Sequence, residues 1–450
     1  MSPPPLSDRR LHFIGVGGAG MSGLALVCSQ LGAQVTGSDR AESSYTARLR
    51  GAGIQPSIGH HAANLPPGAQ VVVSTAIGED NAELVAARDG GAPVIHRGRL
   101  LGEVSALKHS IAVAGTHGKT TTCAMIAHVL SGCGRRPAFL IGGELRSAGT
   151  NAAWGEGDWI VVEADESDGS FLELEREVAV VTNVELDHHH TYASLMELRS
   201  AFDEFVALAR VRIAGPGAQI AGAVTYGLGE GDLSAEDIEL RPLGARFTVA
   251  GVHVELSVPG RHNVANALAA LAACREAGVT LEEAAPALAG YTGTGRRFEE
   301  HGSTARGARV FDDYAHHPTE VRATLEAART LGAHRLVACF QPHLYSRTRE
   351  LARGFGAALA IADVVCVLDV YPARERSGDF PGVSGLLVAQ AAADAAGGRR
   401  VMWTPTLLDA ARRLEAELGE GDVLLTLGAG DVDELARELT TARPSAGQRA

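Results

Sequence analysis

Eight consecutive residues hold the densest chemistry in this chain: Gly115-Thr116-His117-Gly118-Lys119-Thr120-Thr121-Thr122. Glycines at 115 and 118 let backbone N–H groups turn inward, as a phosphate cradle requires. Lys119 has the reach for β- and γ-phosphates, and the Thr120 hydroxyl suits Mg²⁺. Residues Gly115 to Thr121 are therefore read as an ATP-binding loop. The spacing, GxxGKTT, is shorter than the common GxxxxGK[ST]; the competing reading is an ordinary glycine turn before a helix. Downstream, Glu163-Ala164-Asp165-Glu166-Ser167-Asp168 supplies carboxylates. Glu163 stands at the end of an apolar run and is the expected metal ligand with Thr120; the other carboxylates also read as solvated loop charges.

Other polar groups stand at comparable places. Gly15-Val16-Gly17-Gly18-Ala19-Gly20 is a GxGxxG turn with Asp39 about twenty residues on. Gly15, Gly17, Gly18 and Gly20 with Asp39 suit the diphosphate of NAD or of a UDP-sugar, or a tight packing turn without ligand. Ser74 and Thr75 offer hydroxyls at a strand end, or a helix cap. In Glu185-Leu186-Asp187-His188-His189-His190, consecutive histidines cannot all face one zinc ion, and no cysteine is near. One functional histidine beside an ATP–Mg²⁺ centre is the preferred reading. Asn263 and Asn266, three apart, share a helix face and can present amides to a base or ribose, or cap the helix.

These groups need elements to hold them. Ile111–Ala114 reads as a strand leading into the phosphate loop, and Cys123 to about Leu130 as the helix after it. Residues 11–14, 34–37, 71–74 and 93–96 read as strands of a first α/β domain that ends near residue 105. Residues 159–162 and 178–182 are central strands, and 213–256 breaks into short β-like runs. Strands at 310–314, 335–340, 362–368 and 423–427 form a third domain from about residue 305. Residues 1–10 and those after about Thr441 read as loose tails. Polar residues recur just past strand ends, where open α/β sheets bind ligands.

The composition bounds the rest. With 450 residues, 46% apolar and 21% charged, the chain is a globular protein with room for about three domains. A net charge of −13 argues against nonspecific nucleic-acid binding. Lys108 and Lys119 are the only lysines, so a lysine kept inside a glycine loop points to a need for a compact ammonium. Six scattered cysteines without a CxxC pair fit reduced thiols. Residues 1–10 lack a signal-peptide core and no apolar run approaches 18 residues, so a cytoplasmic location without membrane insertion is expected.

Taken together, GVGGAGMSG, GTHGKTTT, EADESD, NVELDH, GRHNVAN, GTGRRF and DDYAHHPTE closely resemble the Mur ligases of peptidoglycan synthesis, over residues 11 to 440. The short loop is the form that family uses. The resemblance implies an α/β chain of three domains: an N-terminal Rossmann-like domain for a UDP-sugar (1–105), a central P-loop ATPase-like parallel sheet with an extra β segment (106–304), and a C-terminal Rossmann-like domain for the amino acid (305–450). It implies ATP-dependent joining of L-alanine to UDP-N-acetylmuramate through an acyl phosphate, as in cell-wall biogenesis. A murein-tripeptide recycling ligase on the same sugar is the alternative.

The resemblance also assigns roles. Lys119 would stabilise the transferring phosphoryl group. Thr120 and Glu163 would hold one Mg²⁺ and His188 a second, with Mn²⁺ as a possible substitute. Asn263 and Asn266 would meet the adenine nucleotide. Arg297, rather than Arg296, would approach the phosphates, and Asp313 would fix ATP or the closed state. Gly15, Gly17, Gly18, Gly20, Asp39, Ser74 and Thr75 would hold the UDP-sugar, without NAD. Tyr314, His343 and Arg347 would surround alanine, with Arg347 on its carboxylate; Leu344 stands where many relatives have a basic residue. Sister ligases use a carbamoylated lysine near the second metal; no lysine follows Lys119 here, so that device is closed to this domain. Monomer and homodimer are both open.

Overall fold

The computed structural model describes residues 4–187 and 191–441. Three sheets are built in sequence order. The first has five parallel strands, with Arg10–Ile14 at its centre between Gln34–Asp39 and Gln70–Val73, and Ser57–Ile58 and Val94–His96 at its edges. The central sheet has ten strands. Its phosphate-loop strand, His109–Ala114, lies between Val178–Val181 and Trp159–Glu163, all parallel. These strands are almost wholly buried, which suits their β-branched and alanine-rich sequence. Leu233–Arg241, Gly244–Val249 and Val252–Leu256 extend this sheet as an antiparallel meander. The third sheet has six strands, five of them parallel, and begins with an antiparallel edge strand, Glu299–Ser303.

Three local readings change. The N-terminal segment is no loose tail from Leu6 on: Leu6 is buried, its N–H donates to Leu31 O at 3.1 Å, and Arg10 already belongs to a strand. The phosphate-loop helix runs over Lys119–Gly132, earlier and longer than its apolar residues suggest. The strand Ala138–Leu145 is additional to the elements read from the sequence, and it carries Gly142-Gly143 in its interior. Both glycines are there for close approach. A Cβ at Gly142 would meet the Glu163 carboxylate at 2.9 Å, and one at Gly143 would meet Thr294 Cγ2 at 2.9 Å.

The cores show how the sheets are joined. The helix Ala19–Gln30 of the first domain packs on Ala138–Leu145 and Thr150–Ala153 of the central sheet, and one apolar core, with Leu24, Leu140, Ala152 and Val162, spans both. On the other face of the central sheet, the helix Arg261–Glu276 buries an alanine-rich surface against Lys119–Gly132. The third domain has cores of its own, around Phe340 and around Leu424. Its ties to the phosphate-loop side are polar. Among the described residues no helix is long and apolar enough to cross a membrane.

Candidate active site

The phosphate loop is held by its neighbours. Gly115 and Gly118 have φ of +127° and +81°, so both use the left-handed freedom of glycine. Thr116 exchanges two hydrogen bonds with Glu185: its hydroxyl donates to the carbonyl at 2.8 Å and accepts from the N–H at 2.9 Å. The His117 N–H donates to Asn183 Oδ1 at 2.9 Å, and the Thr182 hydroxyl donates to His117 O at 2.6 Å. A Cβ at Gly118 would run into the Asn266 amide. The helix beginning at Lys119 therefore points its N-terminus, and its partial positive charge, into a pre-shaped loop.

Lys119 curls back over this loop. Its ammonium donates to Gly115 O at 2.6 Å and to Glu166 Oε1 at 3.0 Å. Burial disfavours the charge, but Glu166, Asp165 and Glu163 outweigh it and hold the lysine protonated. Glu163 ends its strand beside Thr120. Its Oε1 accepts from the Thr120 hydroxyl at 3.0 Å and its Oε2 from the Gly142 N–H at 2.7 Å. Burial pushes the Glu163 carboxyl up, against the pull of Lys119. A hydroxyl and a carboxylate oxygen side by side, with burial working against the carboxylate's charge, are a donor set fitted to a hard divalent cation. His188, the expected second ligand, lies outside the described residues with His189 and His190.

Beside the loop is a largely apolar cavity of about 270 Å³, walled by Thr121, Tyr226, Asn263, Asn266, Arg297 and Asp313 among others. Asn263 Nδ2 donates to Pro259 O at 2.7 Å, and Asn266 Nδ2 to Asn263 Oδ1 at 3.2 Å. The two amides thus cap their helix and line the cavity at once. Asp313 accepts from the Phe298 N–H at 2.9 Å and the Ala315 N–H at 2.8 Å; burial raises its carboxyl to about 6.

A larger cleft of about 910 Å³ is lined by all three domains: Gly17 and Gly18 from the first, Lys119, Thr120 and Glu163 from the second, and Tyr314, His343 and Arg347 from the third. Asp39 Oδ2 accepts from the Gly17 N–H at 2.7 Å, so Asp39 shapes the glycine turn itself. Gly15 takes φ +79°, and a Cβ at Gly20 would meet Arg97 Nη1 at 2.7 Å. Ser74 is half-buried and Thr75 exposed, and neither lines the cleft. Tyr314 lies between two guanidinium groups, Arg296 at 5.1 Å and Arg297 at 5.3 Å from its ring. Arg347 already has a carboxylate: Nε and Nη2 reach Asp187 at 3.1 and 3.0 Å, with both side chains 5% exposed. His343 Nδ1 is 3.3 Å from the same guanidinium, and its ring stacks on Tyr371. Leu344 has φ +69° and heads the helix Tyr345–Leu359.

Residues 10–109 match the catalytic domain of the Mur ligase family, 113–274 the Mur ligase middle domain, and 296–430 the Mur ligase glutamate ligase domain. The chain belongs to the Mur ligase family. Among its relatives is the UDP-N-acetylmuramate–L-alanine ligase of Acidithiobacillus ferrooxidans, 46% identical over 96% of this chain and 97% of that protein. The enzyme of the same name from Streptomyces coelicolor is also 46% identical, over the same shares. The solved UDP-N-acetylmuramate–alanine ligase of Thermotoga maritima superposes with a TM-score of 0.84 at 31% identity, covering 96% of this chain and 98% of that one. A murein peptide ligase from Psychrobacter arcticus superposes at 0.71 with 26% identity, over the same shares.

Several members of this Mur ligase site lie where sequence patterns gave no sign. Glu166 reads as one more loop carboxylate, yet it is 1% exposed and faces Lys119 at 3.0 Å. Glu320 sits one turn into the helix Pro318–Arg329, where an acidic residue reads as a dipole partner. It lines both the 270 Å³ cavity and the interdomain cleft. The only available hint was the unbroken motif DDYAHHPTE, whose last residue it is. Arg296 and Arg297 differ by destination. Both line the interdomain cleft, but Arg296 is held by Asp312 Oδ2 at 3.0 Å and by the carbonyls of Gly430 and Gly428 at 3.0 and 2.9 Å, whereas Arg297 also reaches the smaller cavity.

Proposed function

We propose that this protein joins L-alanine to the carboxylate of UDP-N-acetylmuramate with conversion of ATP to ADP and phosphate. The observation that supports this most strongly is the 910 Å³ cleft, in which a glycine turn, a phosphate loop with its carboxylate, and a Tyr–His–Arg set from three domains face one another. The first domain would hold the UDP-sugar through the Gly15–Gly20 turn shaped by Asp39, and Ser74 and Thr75, which follow the strand Gln70–Val73, would serve it from outside the cleft lining. The middle domain would hold ATP over Gly115–Thr121, its base and ribose toward Asn263 and Asn266. The third would bring alanine to Tyr314, His343 and Arg347. Domain limits near residues 105 and 304 suit this division.

The chemistry follows from the weakness of a carboxylate as an electrophile. Transfer of the γ-phosphoryl group to it gives an acyl phosphate with a good leaving group, and the alanine amine then displaces phosphate. Lys119 and Arg297 would neutralise charge on the moving phosphoryl group, and the closed cleft would exclude water. Thr120 and Glu163 are the groups to hold Mg²⁺, with His188 for a second ion; the metal supplies charge neutralisation on the phosphate oxygens. Asp313, held by two backbone N–H groups, would fix the junction where Arg297 enters. The Arg347–Asp187 pair bears on the alanine step: alanine's carboxylate must share or displace Asp187. Six cysteines without a disulfide fit action in the cytoplasm.

The test is phosphate release in the presence of ATP and Mg²⁺. It should require both UDP-N-acetylmuramate and L-alanine, with glycine and serine weaker. Preference for the L-Ala-γ-D-Glu-diaminopimelate tripeptide over alanine would overturn the assignment in favour of a recycling ligase.

A further inference from the structure

Glu320 of the third domain meets the phosphate loop at His117. Glu320 lies 3.3 Å from His117 Nδ1 and 3.9 Å from Arg297 Nη1, and accepts from the His316 N–H at 3.0 Å. It thus touches the phosphate loop, the arginine that enters both cavities, and a histidine of the interdomain cleft. On its other nitrogen, His117 Nε2 is 2.9 Å from Glu185 Oε2, and the Thr319 hydroxyl donates to that same carboxylate at 2.8 Å. The His317 ring stands 4.6 Å from the His117 ring. One imidazole of the phosphate loop is therefore clasped between a carboxylate of its own domain and one of the third.

The charges at the clasp decide its state. Groups facing His117 are Glu185 from the central domain and Glu320 and His317 from the third. Burial works against a charge on His117, but the two carboxylates outweigh it and raise the imidazole to about 9. His317 is pushed down to about 4 by burial and by His117, so it stays neutral. Without the proton on His117, two carboxylates would face each other across the domain boundary.

We propose that Glu320 is a positioning residue: from the third domain it fixes His117 and Arg297, so that the phosphate loop reaches its reactive arrangement only when that domain is docked. The first and central domains share an apolar core, whereas this contact is polar. The inference rests on the ligase reading above for its kinetics, and on the loop geometry alone for its second measurement.

Glu320→Gln keeps the volume and removes the charge. In the full-length protein, turnover should fall on the order of 100-fold, as for a displacement of about 1 Å in a reacting array. The KM for UDP-N-acetylmuramate should stay within about twofold, since the partners of Glu320 are His117, Arg297 and His316 and not the glycine turn. The alkaline limb of kcat should move to lower pH, because His117 loses one of the two carboxylates that raise it. Glu320→Asp should recover part of the rate, and Glu326→Gln, an exposed change on the same helix, should match the wild type. The second measurement is amide hydrogen exchange over Thr116–Gly118 without any ligand, which should quicken in Glu320→Gln and not in Glu326→Gln. Unchanged loop exchange overturns the proposal whatever the substrate proves to be. So does an unmoved pH limb, or equal loss in every KM together with thermal stability, which would mark a merely structural residue. A wild type that releases no phosphate with sugar and alanine overturns the ligase reading instead, and the exchange result then still decides the role of Glu320.

Discussion

Arg296 and Arg297 are adjacent, equally charged and both within about 5.5 Å of the Tyr314 ring, yet their replacement by alanine should have opposite consequences. Arg296 serves the third domain. Its Nε binds Asp312, which is 0% exposed and otherwise receives the Thr426 hydroxyl at 2.7 Å. Breaking a buried ion pair by removing one partner costs about 3–5 kcal/mol; Arg296 is about one quarter exposed, so about 2–3 kcal/mol is the reasonable figure. The carbonyls of Gly428 and Gly430 each lose a donor, at about 1 kcal/mol apiece. A loss of at least about 3 kcal/mol should lower the melting temperature by about 6–12 °C for a unit of 150–250 residues. Among the described residues the one ion pair of Arg297 is with Glu320, at 3.9 Å, so its removal should cost under about 1 kcal/mol. It should instead reduce kcat by about 10²–10³, as for a lost charge-stabilising group. Differential scanning fluorimetry and coupled phosphate release on both variants are the assays. Equal destabilisation in the two variants, or retained turnover in Arg297→Ala, would refute the separation of roles.

Three other outcomes follow from the geometry. Gly118→Ala should weaken ATP binding by at least about tenfold, measured with a fluorescent nucleotide, because it forces a side chain into φ +81° and against the Asn266 amide. Arg347→Lys should raise the KM for alanine and lower thermal stability, since a lysine cannot reproduce the bidentate pair with Asp187; an unchanged KM would remove Arg347 from the alanine site. The folded pKa of His117, about 9, is raised above the ordinary 6.5, so its contribution to stability is fully present below about 6.5 and is lost as pH rises through about 9. Melting curves of wild type and His117→Gln should therefore converge between those values, and parallel curves would contradict the assigned cause.

What could be read from the sequence, and what could not, divides along a physical line. Strands that end in a site residue announce themselves, because burial on both faces demands an unbroken apolar run and the first polar residue marks the C-terminal edge. The run 159–162 before Glu163 is a case of this kind. Glycine loops are equally legible, since positive φ leaves few substitutes. Gly142-Gly143 uses the residue differently: the pair lies inside a strand that must let Glu163 and Thr294 come close.

Charges inside the site follow a different rule. Whether Glu166, Glu320 or Asp187 is a solvated loop residue or a buried partner depends on a cation 47, 203 or 160 residues away: Lys119, His117 and Arg347 respectively. No local pattern encodes that distance. The three pairs share a location, however: each sits where the phosphate loop and the segment after Val181 face another strand end or the third domain. A continuous apolar core fixes the first two domains together, and polar pairs take over at the boundary that substrates must cross. Such pairs are worth little until desolvated, and once desolvated they tolerate no missing partner. That makes the boundary sensitive to the nucleotide's own charges. Phosphates entering between Lys119 and Arg297 bring negative charge to two cations now balanced by Glu166 and Glu320, so binding must either displace those carboxylates or be offset by metal.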